Sequence, residues 1–271
     1  MPRVASLHIY PVKSCRGIDV SNAQVDQYGF VGDRRFLIVT PEGQFITQRQ
    51  VPVLATIVTE LRDAVLRLSA PNRSPLDVSR FASHGTRQVT VWRDTMEADD
   101  CGDEPAAWLG GVLGFSVRLV RIGATYHRPV RPAKAMPGDV FSFADGYPFL
   151  ILSEASLTEL NDRIVERGAD GVPMNRFRPN IVVVGCAPFA EDGWTRIRVG
   201  GVTLRNGGPC ARCIITTTDQ SSGERQGKEP LATLATFRRS PADPSDVNFG
   251  INLIHEIRSG EIRVGDEVEV L

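Results

Sequence analysis

The feature that most limits how this chain can fold is the succession of short β-type runs in its first third, each broken by turn residues. "RVASLHIYPV" carries Val4, Leu7, Ile9 and Pro11 spaced along it, and "RRFLIVTPEGQFITQ" reads as two strands around the turn Pro41-Glu42-Gly43. "LATIVTEL", "AVLRLSA" and "RQVTVWRDTMEADD" continue the pattern. Runs this short and this closely spaced predict a barrel or a sandwich rather than a helical bundle. "EPAAWLGGVLG" interrupts them as a short helix, with Ala107, Leu109 and Val112 among its apolar positions. The segment 125–139, "TYHRPVRPAKAMPGD", holds three prolines, several basic residues and little periodicity. It reads as a linker or covering loop and divides the chain into 1–124 and 125–271.

The second part opens with an apolar strand, "YPFLIL", and then a well-signalled helix. Ser153 is a good N-cap, Glu154 suits the first turn, Gly168 suits the position after the C-cap, and Leu157, Leu160 and Ile164 share one face. "RPNIVVVG", "TRIRVGGVTLRN", "ARCIITTTD", "NFGINLIHEI" and "RVGDEVEVL" read as strands, and "EPLATLATFRR" as a helix. The expected class is α+β, predominantly β, with two β-barrel-like domains and a few helices.

The chain has 271 residues, 42% hydrophobic and 23% charged, enough to bury a core without covalent staples. A net charge of −1 gives no reason to expect a nucleic-acid groove or an anionic membrane surface as partner. No apolar run is long enough to span a bilayer, and the N-terminus has no secretory pattern. Five scattered cysteines are a poor disulfide framework and indicate a reducing compartment. Cys186, closing the apolar run "IVVVGC", reads as a core residue.

Chemistry concentrates at "NGGPCARCIITTTD", residues 206–219. Its CxxC pair, Cys210 and Cys213, follows what reads as a Gly-Gly-Pro turn. Four readings compete. A redox dithiol wants a helix N-terminus, and the β-branched run after Cys213 opposes that. A structural zinc wants four ligands, and no second close pair exists. Two buried core thiols are the plain reading. The fourth is one thiolate donor to a metal held mainly by an organic cofactor, with Arg212 steadying the thiolate. That reading needs anchors for an anionic group, and candidates exist. They are Lys13 and Ser14 after the first strand, Arg34 and Arg35 in "GDRRF", Arg176, Arg178 and Asn180 in "RFRPN", and Ser153 and Ser156 at a helix start.

Taken in order, "YPVKSCRG", "GDRRFLIVTPEGQFITQRQVP", "VWRDTMEADDCGDEPAAWL", "FLILSEASLTELNDRI", "FRPNIVVVG" with "FAEDGWTRIRVGGVTL", and "PCARCIITTTDQSSGERQGKEPLATL" resemble the N-terminal barrel and MOSC domains of molybdenum-cofactor proteins of the amidoxime-reducing-component type. The resemblance spans nearly the whole chain. It implies a pyranopterin–molybdenum (molybdopterin) cofactor between two domains, with Cys213 as the thiolate ligand of the metal and Cys210 beside it. Cofactor-binding positions carry over to Lys13, Ser14, Arg34, Arg178 and Asn180, and further to Asp145, Ser153, Ser156, Cys210 and Arg212.

Such a protein is expected to reduce N-hydroxylated compounds, namely amidoximes, hydroxylamines and N-hydroxylated bases. With no [2Fe–2S] cysteine cluster in the sequence, the expected electron source is a separate protein of ferredoxin, flavodoxin or cytochrome type with its reductase. Mitochondrial members carry a targeting and membrane-anchoring segment. This chain starts almost at its first strand, so a soluble, cytoplasmic, bacterial-type form without membrane contact is expected. The alternative is a sulfur carrier holding a persulfide on Cys213, because MOSC regions also end the molybdenum-cofactor sulfurases. A third reading is a module that stores or delivers cofactor.

Overall fold

A computed structural model describes residues 1–130 and 135–271. Residues 131–134 of the expected covering segment lie outside the described residues. The largest element is an eight-stranded sheet. Its strands run, edge to edge, 268–270, 196–199, Val202–Arg212, Val247–His255, Phe149–Ser153, Ile181–Val184, Arg3–Ile9 and 18–20. All neighbours are antiparallel except Phe149–Ser153 and Ile181–Val184. That parallel pair is joined through the helix Glu154–Glu166, as parallel strands require a crossover. The N-terminal strand therefore completes a sheet built mostly from the second half of the chain. The remaining strands form a four-stranded sheet (36–39, 118–121, 94–100, 86–91) and two three-stranded ones (261–263, 22–26, 29–30; and 58–62, 65–69, 76–79). With the helices Asp103–Leu113, Glu154–Glu166 and Leu231–Phe237, this is the expected β-dominated α+β class.

Burial follows the pleat. Leu7, Phe149, Ile151, Ile181, Val183, Leu204, Ile251 and Leu253 face one core, joined by Ile197, Val202 and Ile262. The opposite face of the same strands, through Leu150, Leu152 and Phe249, packs against Leu160 and Ile164 of one helix and Leu234 of another. The helix Glu154–Glu166 begins and ends as its sequence signals. The Ser153 hydroxyl accepts a hydrogen bond from the Ser156 backbone N–H at 3.0 Å, and Gly168, just after the C-cap, sits at φ 80°.

Two local expectations are corrected around the thiol pair. Gly207-Gly208-Pro209 is not a turn but lies inside strand Val202–Arg212, with register shifts on both sides of it. Gly207 is needed for space, since a Cβ there would meet the Tyr147 ring at 2.5 Å. The strand does not run on through Ile214–Thr217. Those residues coil into a 3-10 turn, in which the Thr216 and Thr217 hydroxyls donate to the carbonyls of Cys213 and Ile214 at 2.9 and 2.8 Å. Local threonine bonding to the backbone outcompetes the β preference of the run.

Candidate functional site

Several chain segments meet at one end of the large sheet and enclose a cleft of about 340 Å³. The turn after Arg3–Ile9 brings Lys13 and Ser14, and the turn before 36–39 brings Arg34. The approach to Phe149–Ser153 brings Asp145, and the approach to Ile181–Val184 brings Arg178 and Asn180. The end of Val202–Arg212 brings Cys210, Arg212 and, one residue on, Cys213. Ser14, Arg34 and Arg178 hold left-handed backbone, φ 70°, 49° and 55°, which side-chain-bearing residues rarely adopt. Such strain persists where the surroundings over-determine it, and it gathers at functional sites.

The cleft is strongly cationic. Lys13, Arg34, Arg49, Arg178 and Arg212 line it against one carboxylate, Asp145. Lys13 is buried, and its Nζ donates to the Phe143 carbonyl at 2.7 Å and to Asp145 Oδ1 at 2.5 Å. Desolvation drives its pKa down to about 8, against the pull of Asp145. Burial opposes the charge on Asp145, yet Lys13, Arg49 and the Trp92 indole N–H hold its carboxyl well below the usual range. Arg178 is lowered to about 10, first by burial, with neighbouring Arg34 adding to the effect.

Two guanidiniums can sit this close because of what lies between them. Tyr10 lies under both, its ring centroid 4.6 Å from Arg34 Cζ and 4.2 Å from Arg178 Cζ. Arg34 also donates to buried Asp33 at 2.6 Å and to Asn180 Oδ1 at 3.2 Å. Asn180 ties three segments together, accepting from the Leu150 N–H and donating to the His8 carbonyl.

Unused donors remain. Arg49 Nη1, Arg178 Nη2 and Arg212 Nε are buried without a hydrogen-bond partner. Each such group costs roughly 1–3 kcal/mol when left unsatisfied. Three cleft-lining arginines with free donors fit a ligand carrying several acceptor oxygens and negative charge, as a phosphate-bearing pterin does.

The thiols are not equivalent. Arg212 Nη1 donates to Cys210 Sγ at 2.9 Å and Nη2 to the Phe177 carbonyl at 2.7 Å, so the guanidinium between the cysteines serves Cys210 rather than Cys213. Both residues are extended, and at about 3.3 Å per residue three steps separate their Cα atoms by roughly 10 Å, more than a disulfide spans. Among the described residues no cluster of three or more His, Cys, Asp or Glu offers a protein-only metal site.

Ser153 and Ser156 do not line this cleft. Both are fully buried, and their hydroxyls lie 2.6 Å apart. The Ser156 hydroxyl donates to Glu191 at 2.7 Å and accepts from the Phe189 N–H at 2.7 Å. Arg35 pairs with Asp26, and Arg176 holds the loop after Cys213 through the Thr217 carbonyl. Sequence reasoning missed Arg49, Tyr10 and Asp33, and also Gln48, which donates to the Ser14 carbonyl at 2.7 Å. Arg49 stands inside one of the family-like segments, "GQFITQRQVP", which was the available signal.

The chain matches the model of the MOSC N-terminal beta barrel domain over residues 1–116 and that of the MOSC domain over residues 138–269. It is 37% identical to mitochondrial amidoxime-reducing component 1 of Mus musculus and, equally, of Homo sapiens. Each match covers 99% of this chain and 82% of the relative. The chain belongs to the MOSC-domain family. This MOSC protein is also 32% identical to a molybdenum cofactor sulfurase of Oryza sativa subsp. japonica, over 94% of this chain and 33% of that protein. Among its described residues no helix is long and apolar enough to cross a membrane. Its cationic cleft is formed from both matched regions, with Lys13, Arg34 and Arg49 from the first and Arg178, Arg212 and Cys213 from the second.

Proposed function

We propose that this MOSC protein is a molybdenum-cofactor-dependent reductase of N-hydroxylated compounds, taking its electrons from a separate donor protein. The observation that carries the reading is the cationic cleft with three orphaned guanidinium donors and a thiol, Cys213, on its wall. Lys13, Arg34 and Arg178 would hold the anionic part of the cofactor, Asn180 fixes the loops that present them, and Cys213 would supply the protein's ligand to molybdenum. When bound, the cofactor supplies the two-electron chemistry by which an N–OH group, two electrons and two protons become N–H and water. The protein's part is to position and to charge the site. Trp92, stacked on Arg49 at 4.5 Å and bonded to Asp145 at 3.2 Å, stands beside the rim where a flat amidoxime enters. Resemblance to the amidoxime-reducing components supports the substrate class.

The test is to produce the protein in a host that makes the cofactor and to follow benzamidoxime conversion to benzamidine with reduced methyl viologen. Turnover that disappears in Cys213→Ala and persists in Cys210→Ala supports the reductase. A protein without turnover that carries cyanide-labile sulfur on Cys213 contradicts it and establishes sulfur transfer, in line with the similarity to the rice sulfurase.

A further inference from the structure

A second and larger cleft, about 660 Å³, opens on the outer face of the large sheet, between its N-terminal strand and the helix Glu154–Glu166. It shares Arg178, and Tyr10 beneath it, with the cationic cleft; the cofactor reading makes no use of its other side chains. Its floor carries Ser6 and His8 from one strand face and, just past the strand end, Tyr10. Their direction follows from a bulge. Val4 opposes Val183 and Ser6 opposes Val182, so Ala5 is an extra residue in the ladder. Without it, the alternation that buries Val4 would also bury Ser6 and His8 and expose Leu7 and Ile9. With it, Val4, Leu7 and Ile9 all enter the core, and Ser6 and His8 turn to the cleft.

On that face the Ser6 hydroxyl oxygen is 2.8 Å from His8 Nε2, and His8 Nδ1 is 2.7 Å from Asp19 Oδ1. Asp19 stands directly across from His8 on the neighbouring strand. Donor accounting orders the protons. An ionised carboxylate only accepts, so Nδ1 of His8 carries the hydrogen, Nε2 of the neutral ring is left as an acceptor, and the Ser6 O–H donates to it. The hydroxyl is thereby polarised by a base whose tautomer is fixed by a carboxylate, the relation that activates a nucleophilic serine. The cleft walls add Leu157, Met174 and Pro179 as apolar surface and Arg16 and Arg178 as positive charge.

We propose that this cleft is an acyl-transfer site that hydrolyses carboxylic esters of short apolar acyl groups. Ser6 Oγ attacks the ester carbon as its proton passes to His8 Nε2. The bond to the leaving alkoxide breaks, and the alkoxide takes that proton from His8. Water then attacks the acyl-serine, giving its proton to His8. The Oγ–acyl bond breaks, releasing the acid, and Oγ regains the proton, with no redox change. Arg16, on the wall of the cleft, adds positive charge that favours the charge developing on the carbonyl oxygen. Asp19, largely exposed at 89%, is a positioning residue that acts through His8, itself 20% exposed.

The test uses the full chain with p-nitrophenyl acetate as substrate and a fluorophosphonate as covalent probe, the adduct being mapped by peptide mass spectrometry. Labelling of wild-type protein at Ser6 is expected, and that arm needs no variant. Ser6→Ala and His8→Ala each lower ester hydrolysis by about 100-fold, while molybdenum content stays that of wild type. Asp19→Asn slows labelling, and Asp19→Glu restores it. Absence of an adduct on Ser6, or hydrolysis that persists in a folded Ser6→Ala protein, overturns the proposal. Neither result bears on amidoxime reduction, which is read separately.

Discussion

Two polar clusters of this MOSC protein were both candidates for an anionic ligand from the sequence, and they differ in what they leave unpaired. In the cleft around Lys13, Arg34, Arg178 and Cys213, guanidinium donors are buried without partners and backbone is held at positive φ. At Ser153, Ser156 and Glu191, a helix start supplies hydroxyls and N–H groups, but these are used up on one another and on Glu191 Oε1, and the atom left over, buried Glu191 Oε2, is an acceptor that offers an anion nothing. A site for an anion leaves donors unpaired until the ligand arrives, whereas the serine cluster spends its donors internally and leaves only a carboxylate oxygen over. The difference is not one of residue type, since serines and charges occur in both.

That contrast can be broken in several ways. The largest effect is expected at Cys213. Cys213→Ala should abolish amidoxime turnover while the thermal midpoint of the cofactor-free protein stays that of cofactor-free wild type, checked by calorimetry beside the viologen assay. Next comes Arg178→Ala, which removes a charge-assisted donor set worth about 1.5–3 kcal/mol. Cofactor dissociation measured after dilution should then be roughly 10- to 100-fold faster.

The third expectation concerns pH. Lys13 titrates near 8 in the folded protein and near its ordinary 10.5 when unfolded. Between those values the unfolded chain binds more protons at this site, so the Lys13 contribution to the stability of cofactor-free protein should rise with pH through that window, by up to about 3 kcal/mol at about 1.4 kcal/mol per unit. The buried thiols of Cys15 and Cys101, pushed up to about 12, pull the other way above about pH 9. Urea titrations at pH 7.5, 9 and 10.5 measure this. The Lys13 part is the difference in slope between wild type and Lys13→Met, and that difference should shrink in cofactor-loaded protein, where added negative charge lifts the Lys13 pKa. The smallest effect is expected in the other cluster. Ser156→Ala strips a hydrogen bond from buried Glu191 and should cost about 1–3 kcal/mol of stability, with cofactor affinity unchanged. A loss of affinity there would erase the distinction between the clusters.

Much of this was legible in the chain, and the exceptions have causes. The helix after Ser153 could be read from its cap, its apolar face and Gly168, because those signals are local. The strand Phe149–Ser153 could be read from a run of apolar residues buried on both faces. The course of the chain after Cys213 could not. Its β-branched composition favours a strand, and only the threonine hydroxyls turning back to the carbonyls of Cys213 and Ile214 decide for the 3-10 turn. The N-terminal strand's place between 181–184 and 18–20 is a long-range pairing with no local mark. Tyr10 as a shared floor for Arg34 and Arg178, and Arg49 as the partner of Trp92, were hidden for the same reason. Ser153 and Ser156 misled because a helix start offers the same groups whether it binds an anion or caps itself.

The measurement that tests the account most directly is molybdenum per chain, by mass spectrometry, on wild type, Cys213→Ala and Ser156→Ala purified from a host that makes the cofactor. Near-stoichiometric metal in wild type and Ser156→Ala, with little or none in Cys213→Ala, is the predicted result. Metal-free wild type, or Cys213→Ala that retains its molybdenum, would contradict the assignment of the cationic cleft and its thiol.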